Sequence, residues 1–212
     1  MKELFKVFGI AKWILISCII IMLLPSCSDE KKSEQEPLFS LSDSLAVTTE
    51  AKKLFGNNLK LVLTGNFDSD SLQEVAAGIE LTENNNWGIK FLILKIENNQ
   101  LVKKYETNLL QGSFKESQVT KIKFSTYDFD LIYYNSQDYF WGSGGGEVFS
   151  YIIDLSGHNT FYAHLFSESR KPIELFLSKN ITDQEIRNYF ISTFRKDYPD
   201  LKLTAEDVSL DF

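Results

Sequence analysis

The sequence predicts an α+β fold: mainly a curved antiparallel β-sheet of about seven to nine strands, with a short N-terminal helix and a C-terminal amphipathic helix. From residue 58 onward, strand-length runs of apolar, β-branched and aromatic residues alternate with turn residues. The short polar connections 97–100 and 156–159 require antiparallel neighbours. Strands do not alternate with long helices, which argues against a parallel doubly wound sheet.

The first predicted element is a helix over residues 45–55. Asp43 and Ser44 are suitable capping residues at its start, and Gly56 suits the left-handed position at its end. The strand-like runs then follow one another along the chain. They cover residues 59–64, 74–81, 88–96, 101–105, 119–124, 130–134, 147–154, 160–166 and 173–177.

The last predicted element is a helix over residues 183–196. Thr182 and Glu185 have the spacing of a capping box, in which each side chain accepts a hydrogen bond from the other residue's backbone N–H. Apolar residues repeat at helical spacing and predict one buried stripe. They are Ile186, Tyr189, Phe190 and Phe194.

The N-terminus has the pattern of an export signal. Lys2, Lys6 and Lys12 precede an apolar run over residues 13–24, which is shorter than the roughly 20 residues that a membrane-spanning helix needs. Residues 23–28, Leu-Leu-Pro-Ser-Cys-Ser, resemble the lipobox of bacterial lipoproteins. The resemblance implies cleavage after residue 26, attachment of lipid to Cys27 and anchoring to a membrane. The alternatives are an ordinary secretory signal and an uncleaved anchor.

Residues 27–40 are predicted to form a disordered tether, because the segment 28–36 is polar throughout. A single β-rich domain is expected over residues 41–212. Asp29 and Glu30 resemble the export tag of surface-exposed lipoproteins. The predicted location is therefore the bacterial cell envelope, in the outer membrane, on either its periplasmic or its outer surface.

The charge of the chain argues against nucleic acid as a partner. Its formal net charge is −7, and removal of the lysine-rich leader makes the remainder more acidic. Phosphate backbones would repel such a surface.

An acidic loop between the first two predicted strands is a candidate calcium site. Asn66, Asp68, Asp70 and Glu74 present oxygen atoms at the spacing with which a tight loop surrounds Ca²⁺. The segment 65–75 resembles the calcium loops of FG-GAP and VCBS repeats, and this resemblance implies a stabilising ion. The alternative is a polar strand connection whose acids face water or bond to nearby backbone amides.

A second candidate site is the aromatic and glycine-rich stretch that begins at Asp138. Tyr139 and Trp141 have rings that can stack on a sugar or an apolar partner, and Glu147 can accept hydrogen bonds. The alternative is a long hairpin loop whose aromatic side chains cover the end of the core.

The sequence favours a non-catalytic binding or assembly module with a protein or glycan ligand, which calcium would stabilise if the acidic loop binds it. The chain has two histidines and two cysteines. Cys18 would leave with the leader and Cys27 would be lipidated, so no thiol nucleophile would remain. No local motif marks a catalytic serine. The alternative is a small envelope hydrolase or an inhibitor.

Overall fold

The predicted fold class is confirmed. The computed structural model describes residues 40–136, 144–168 and 171–204, and within them two mostly antiparallel sheets are accompanied by two α-helices. The predicted leader, Cys27 and the tether up to residue 39 lie outside the described residues, as do Tyr139 and Trp141. No helix within the described ranges is long and apolar enough to cross a membrane.

The first sheet is a four-stranded meander in the order β1-β2-β3-β4. Its strands are β1 Leu59–Gly65, β2 Glu74–Glu83, β3 Asn86–Glu97 and β4 Gln100–Glu106. Asn84 and Asn85 turn β2 into β3, and Asn98 and Asn99 turn β3 into β4. All four have positive φ, between 50° and 66°, which asparagine tolerates and which two-residue hairpin turns require.

The second sheet has six strands in the order β10-β9-β8-β7-β6-β5. They are β5 Ser117–Ile122, β6 Leu131–Ser136, β7 Gly145–Asp154, β8 Asn159–Glu168, β9 Glu174–Leu177 and β10 Lys202–Thr204. β10 pairs with β9 in parallel, and the other neighbours are antiparallel.

The structure differs from the sequence prediction in how the strands are grouped. All nine predicted strands are present, but they form two sheets rather than one, and β10 brings the number in the described part of the chain to ten. Tight turns fix the pairing of β2 with β3, of β3 with β4 and of β7 with β8, whereas the segment between β4 and β5 begins a new sheet. β10 has only three residues, too few for a recognisable sequence pattern.

The two sheets pack face to face around a shared core, and each outer face carries a helix. The shared core includes Phe91 of β3 and Tyr134 of β6. Helix α1, Ser44–Phe55, covers the first sheet through Val47 and Ala51. Helix α2, Gln184–Asp197, covers the second sheet. Because both faces of each sheet are buried, residues 74–79 of β2 and residues 148–154 of β7 are buried without alternation.

The capping predictions have different outcomes at the two helices. Asp43 caps α1 by accepting hydrogen bonds from the amides of Leu45 and Ala46, and Gly56 ends the helix with φ 57°. This prediction is confirmed.

The capping box predicted for α2 is wrong. The helix begins at Gln184, so Asp183, not Thr182, is the N-cap residue and accepts from the amides of Glu185 and Ile186. The Glu185 carboxylate instead accepts from the amide and hydroxyl of Ser125, both at 2.7 Å.

Candidate functional site

The acidic loop between β1 and β2 is folded by its own side chains. Asp68 accepts a hydrogen bond from the amide of Asp70 at 3.0 Å, and Asp70 accepts one from the amide of Leu72 at 2.9 Å. Glu74, at the start of β2, is 1% exposed and accepts from the amide of Phe67 at 2.7 Å. Three carboxylates therefore converge, with one oxygen of each within 4.8 Å of the others.

Lys95 of β3 lies among these carboxylates, a feature that sequence reasoning missed. Its Nζ is 2.6 Å from Asp68 Oδ2, 2.5 Å from Asp70 Oδ2 and 3.6 Å from Glu74 Oε1. The pairing of Val75 with Leu94 places the next residue of β3 beside Glu74. The lysine is 25 residues from Asp70 along the chain, so no local pattern could have indicated it.

The charges in this cluster shift one another's pKa values. The hydrogen bond from Lys95 lowers the pKa of Asp70 to about 2. Burial raises the pKa of the Glu74 carboxyl above its ordinary value. Burial alone would lower the pKa of Lys95, but its hydrogen bonds to Asp68 and Asp70 outweigh this effect and the pKa is raised. Lys95 is therefore held in its charged form.

Asn66, the remaining predicted ligand, ties the loop to the second sheet. Its backbone carbonyl accepts a hydrogen bond from the amide of Asp130 at 2.6 Å. Its side-chain oxygen is buried and has no hydrogen-bond partner within the described residues. The structure thus brings together the three acidic residues among the four predicted ligands and places a lysine in their midst.

Of the predicted aromatic patch, the structure describes Glu147 alone. Its Oε2 lies 2.8 Å from His164 Nε2. The imidazole of His164 stacks on Phe149, with ring centroids 4.5 Å apart and an angle of 3° between the ring planes. Glu147 therefore orients a histidine from the neighbouring strand, a role that the sequence did not indicate.

Two cavities flank the turn between β7 and β8, at the end of the domain that carries the acidic loop. The loop cavity, of about 480 Å³, lies between Asp68, Asp70 and Lys95 on one side and this turn on the other. The turn cavity, of about 420 Å³, lies between the end of β4 and the same turn. Asp154 borders both cavities.

Asp154 shapes the turn that separates the cavities. Its carboxylate is 5% exposed and accepts hydrogen bonds from the Ser156 hydroxyl at 3.1 Å and the Gly157 amide at 2.7 Å. A Cβ atom at position 157 would lie 2.2 Å from Asp154 Oδ2, so any other residue there would displace the carboxylate that holds the turn. The His158 ring, which follows, contacts the ring of Tyr105 edge-on at 5.7 Å.

Comparison of the chain with protein-family models, with curated proteins and with solved structures found no match.

Proposed function

We propose that this chain is an exported bacterial lipoprotein, attached to an envelope membrane through Cys27, whose domain is a non-catalytic ligand-binding module. The observation that carries the proposal is the N-terminal pattern of three lysines, a short apolar run and Leu-Leu-Pro-Ser-Cys. Several acyl chains together give stable attachment where a single chain would give only a reversible one.

Mass spectrometry of the intact protein from the membrane fraction tests the anchor. The native chain should lack residues 1–26 and carry additional mass from lipid, and Cys27→Ala should carry none. Cys18→Ala is the matched control, because this cysteine lies inside the apolar run and should leave with the leader. An unlipidated native chain would overturn the anchor, and it would point to a secretory signal or an uncleaved anchor instead.

The state of the carboxylates around the two cavities supports a binding role over a hydrolase. Asp68 and Asp70 are paired with Lys95, and Asp154 is bonded to its own turn. General acid–base chemistry by a pair of carboxyl groups needs both groups within reach of the reacting atoms and free to exchange protons. An inhibitor of an envelope enzyme also binds its target without catalysing a reaction, so the proposal of a non-catalytic binding module includes an inhibitor.

We also propose that the acidic loop binds Ca²⁺ as a stabilising ion. Three carboxylates face one ammonium group, and Glu74 Oε1 is buried without a hydrogen-bond donor among the described residues. A divalent cation would balance the remaining negative charge if the flexible Lys95 side chain moved aside. Because Lys95 competes with the cation for the carboxylates, we expect weak calcium affinity, with a dissociation constant of about 10⁻⁴–10⁻³ M, as in extracellular calcium modules.

Thermal unfolding after chelation tests the calcium proposal. Millimolar Ca²⁺ should raise the melting temperature by a few degrees. Lys95→Met should lower the melting temperature in chelator, because the variant leaves the carboxylates without their cation. For the same reason, Ca²⁺ should raise the melting temperature of this variant more than that of the native chain. Lys103→Met is the matched control, since its ion pair with Glu106 lies outside the loop. Melting temperatures that Ca²⁺ leaves unchanged in both native chain and Lys95→Met would overturn the proposal.

A further inference from the structure

The two most exposed large apolar side chains among the described residues lie in separate elements. Leu45, in the first turn of α1, is 76% exposed, and Leu72, in the acidic loop, is 63% exposed. A single exposed leucine is ordinary on a protein surface. This pair is distinguished by its position relative to the point at which the chain enters the domain.

Both leucines lie at one end of the first sheet. α1 leads into β1 through the three-residue turn Gly56–Asn58 and packs along the strand, so the helix and the strand run in opposite directions. The twelve residues of α1 and the seven of β1 each cover about 20 Å. The first turn of α1 therefore lies beside the end of β1, where the acidic loop begins. We call this end of the sheet, with Leu45 and Leu72, the tether end.

The chain enters the domain at the tether end. Ser40, the first described residue, accepts a hydrogen bond from the Asp43 amide at 2.9 Å, and α1 begins directly after this turn. A flexible chain as long as the predicted tether, residues 27–40, has an end-to-end distance of about 20 Å. A lipid on Cys27 would therefore keep the tether end near the bilayer surface and raise the effective concentration of lipid beside both leucines.

The charges around the two leucines do not oppose contact with a bilayer. The loop residues 69–73 are exposed, and the one charged side chain among them, Asp70, is paired with Lys95 at 2.5 Å. Residues 42–46 also hold one charged side chain, Asp43, whose carboxylate accepts from two amides of α1. Both leucines can therefore enter the headgroup region without burying an unpaired ion.

We propose that the tether end of the first sheet docks onto the bilayer that holds the lipid on Cys27, with Leu45 and Leu72 inserted among the lipid headgroups. Two leucines bury too little apolar surface to hold a free protein on a membrane, but the tether supplies the local concentration that such a weak contact needs. Docking would direct the opposite end of the domain away from the membrane. The inference rests on the proposed anchor, and it adds a second membrane contact and an orientation.

Nitroxide quenching in vesicles tests the docking. The full lipidated chain, with a fluorescent label on Gln73→Cys in the exposed loop, is reconstituted in phosphatidylcholine vesicles whose acyl chains bear nitroxide groups. The label has no competing thiol, since Cys18 should leave with the leader and Cys27 should be lipidated. Contact with lipid should quench the label, and Leu45→Ser combined with Leu72→Ser should abolish the quenching.

Leu54→Ser combined with Trp87→Ser is the matched control. Leu54 lies in the last turn of α1, and Trp87 lies beside the hairpin between β2 and β3, so both are at the opposite end of the first sheet. They are 50% and 52% exposed, and the label should stay quenched in this variant. Circular dichroism checks that both double variants are folded.

The docking would be overturned by a vesicle-bound chain whose label is not quenched, or by quenching that persists without Leu45 and Leu72. Quenching that the control variant abolishes would mean that the opposite end faces the membrane, and it would also overturn the docking. A chain that does not float with the vesicles would overturn the proposed anchor, and the docking with it. Flotation therefore separates failure of the anchor from failure of the docking alone.

Discussion

Single residues in the acidic cluster have opposite effects on stability as the pH changes. The folded-state pKa of Asp70 is lowered to about 2, so its contribution to stability is present above its ordinary pKa of 3.8 and is lost as the pH falls toward 2. Glu74 behaves in the opposite way. Its folded-state pKa is raised above 4.5, so its ionisation costs stability as the pH rises through the folded-state value.

Glu74→Gln should therefore stabilise the protein at neutral pH in the absence of calcium. The glutamine keeps an oxygen that can accept from the Phe67 amide, and it removes a buried charge. We expect the melting temperature to rise by about 2–4 °C, which corresponds to about 1 kcal/mol for a domain of this size. The difference from the native chain should disappear below pH 4.5, where the native carboxyl is also protonated. Differential scanning calorimetry from neutral pH to below pH 4.5 measures this difference in melting temperature.

The opposite result would contradict this account. If Glu74→Gln lowered the melting temperature at neutral pH in chelator, the attraction between Glu74 and Lys95 would outweigh the cost of burial. Glu50→Gln is a suitable control, because Glu50 forms a surface ion pair with Lys53 on α1 and such pairs contribute about 0–1 kcal/mol.

At the scale of elements, the start of α2 shows how tertiary contacts select between two local motifs. Thr182 and Glu185 fit a capping box in sequence. In the structure, however, the Glu185 carboxylate accepts hydrogen bonds from Ser125, which lies outside the helix. Asp183 then satisfies the first-turn amides. Its carboxylate also accepts from the Thr126 hydroxyl at 2.5 Å, and this bond lowers the pKa of Asp183.

Substitution of the two neighbouring residues distinguishes the two caps. Asp183→Ala should cost about 1–2 kcal/mol of unfolding free energy, the usual effect of losing an N-cap side chain. Thr182→Ala should cost less than about 0.5 kcal/mol, as a substitution outside the cap would. Urea denaturation measures both values. Equal losses of unfolding free energy at the two positions would mean that Thr182 also caps the helix, as a capping box requires.

At the scale of the whole molecule, the core between the sheets joins two meanders that are separate in sequence. Phe91 of the first sheet contacts Tyr134 of the second, with ring centroids 6.1 Å apart, and Phe114 at 5.4 Å. Both Phe91 and Tyr134 are fully buried. Neither sheet could bury its inner face without the other, so we expect them to unfold together.

Phe91→Ala should cost about 3–5 kcal/mol, because it removes a large buried side chain and leaves a cavity. Circular dichroism and tyrosine fluorescence should still report a single coincident transition in urea. Trp87→Ala, on the same strand but 52% exposed in the native chain, is the control and should cost less than about 0.5 kcal/mol. Separate transitions for the two probes would mean that the sheets are independent folding units.

The sequence by itself determined the elements that depend on local chemistry. Apolar runs of strand length, separated by turn residues, were sufficient for the strands from β1 to β9, and the asparagine pairs between β2 and β3 and between β3 and β4 restrict φ within two residues. Asp43 and Gly56 likewise marked α1, because capping bonds form within one turn of the helix. The convergence of Asp68, Asp70 and Glu74 was predicted from spacing alone.

Only the tertiary structure decided which elements meet. Strand periodicity shows that a face is buried, but it does not show which surface covers it, so one sheet was expected where two are packed. For the same reason, the residues that contact each predicted site residue come from distant parts of the sequence. Lys95 reaches Asp70 across 25 residues and His164 reaches Glu147 across 17. The turn cavity exists because sheet packing brings the end of β4 beside the turn between β7 and β8, a contact that no local pattern encodes.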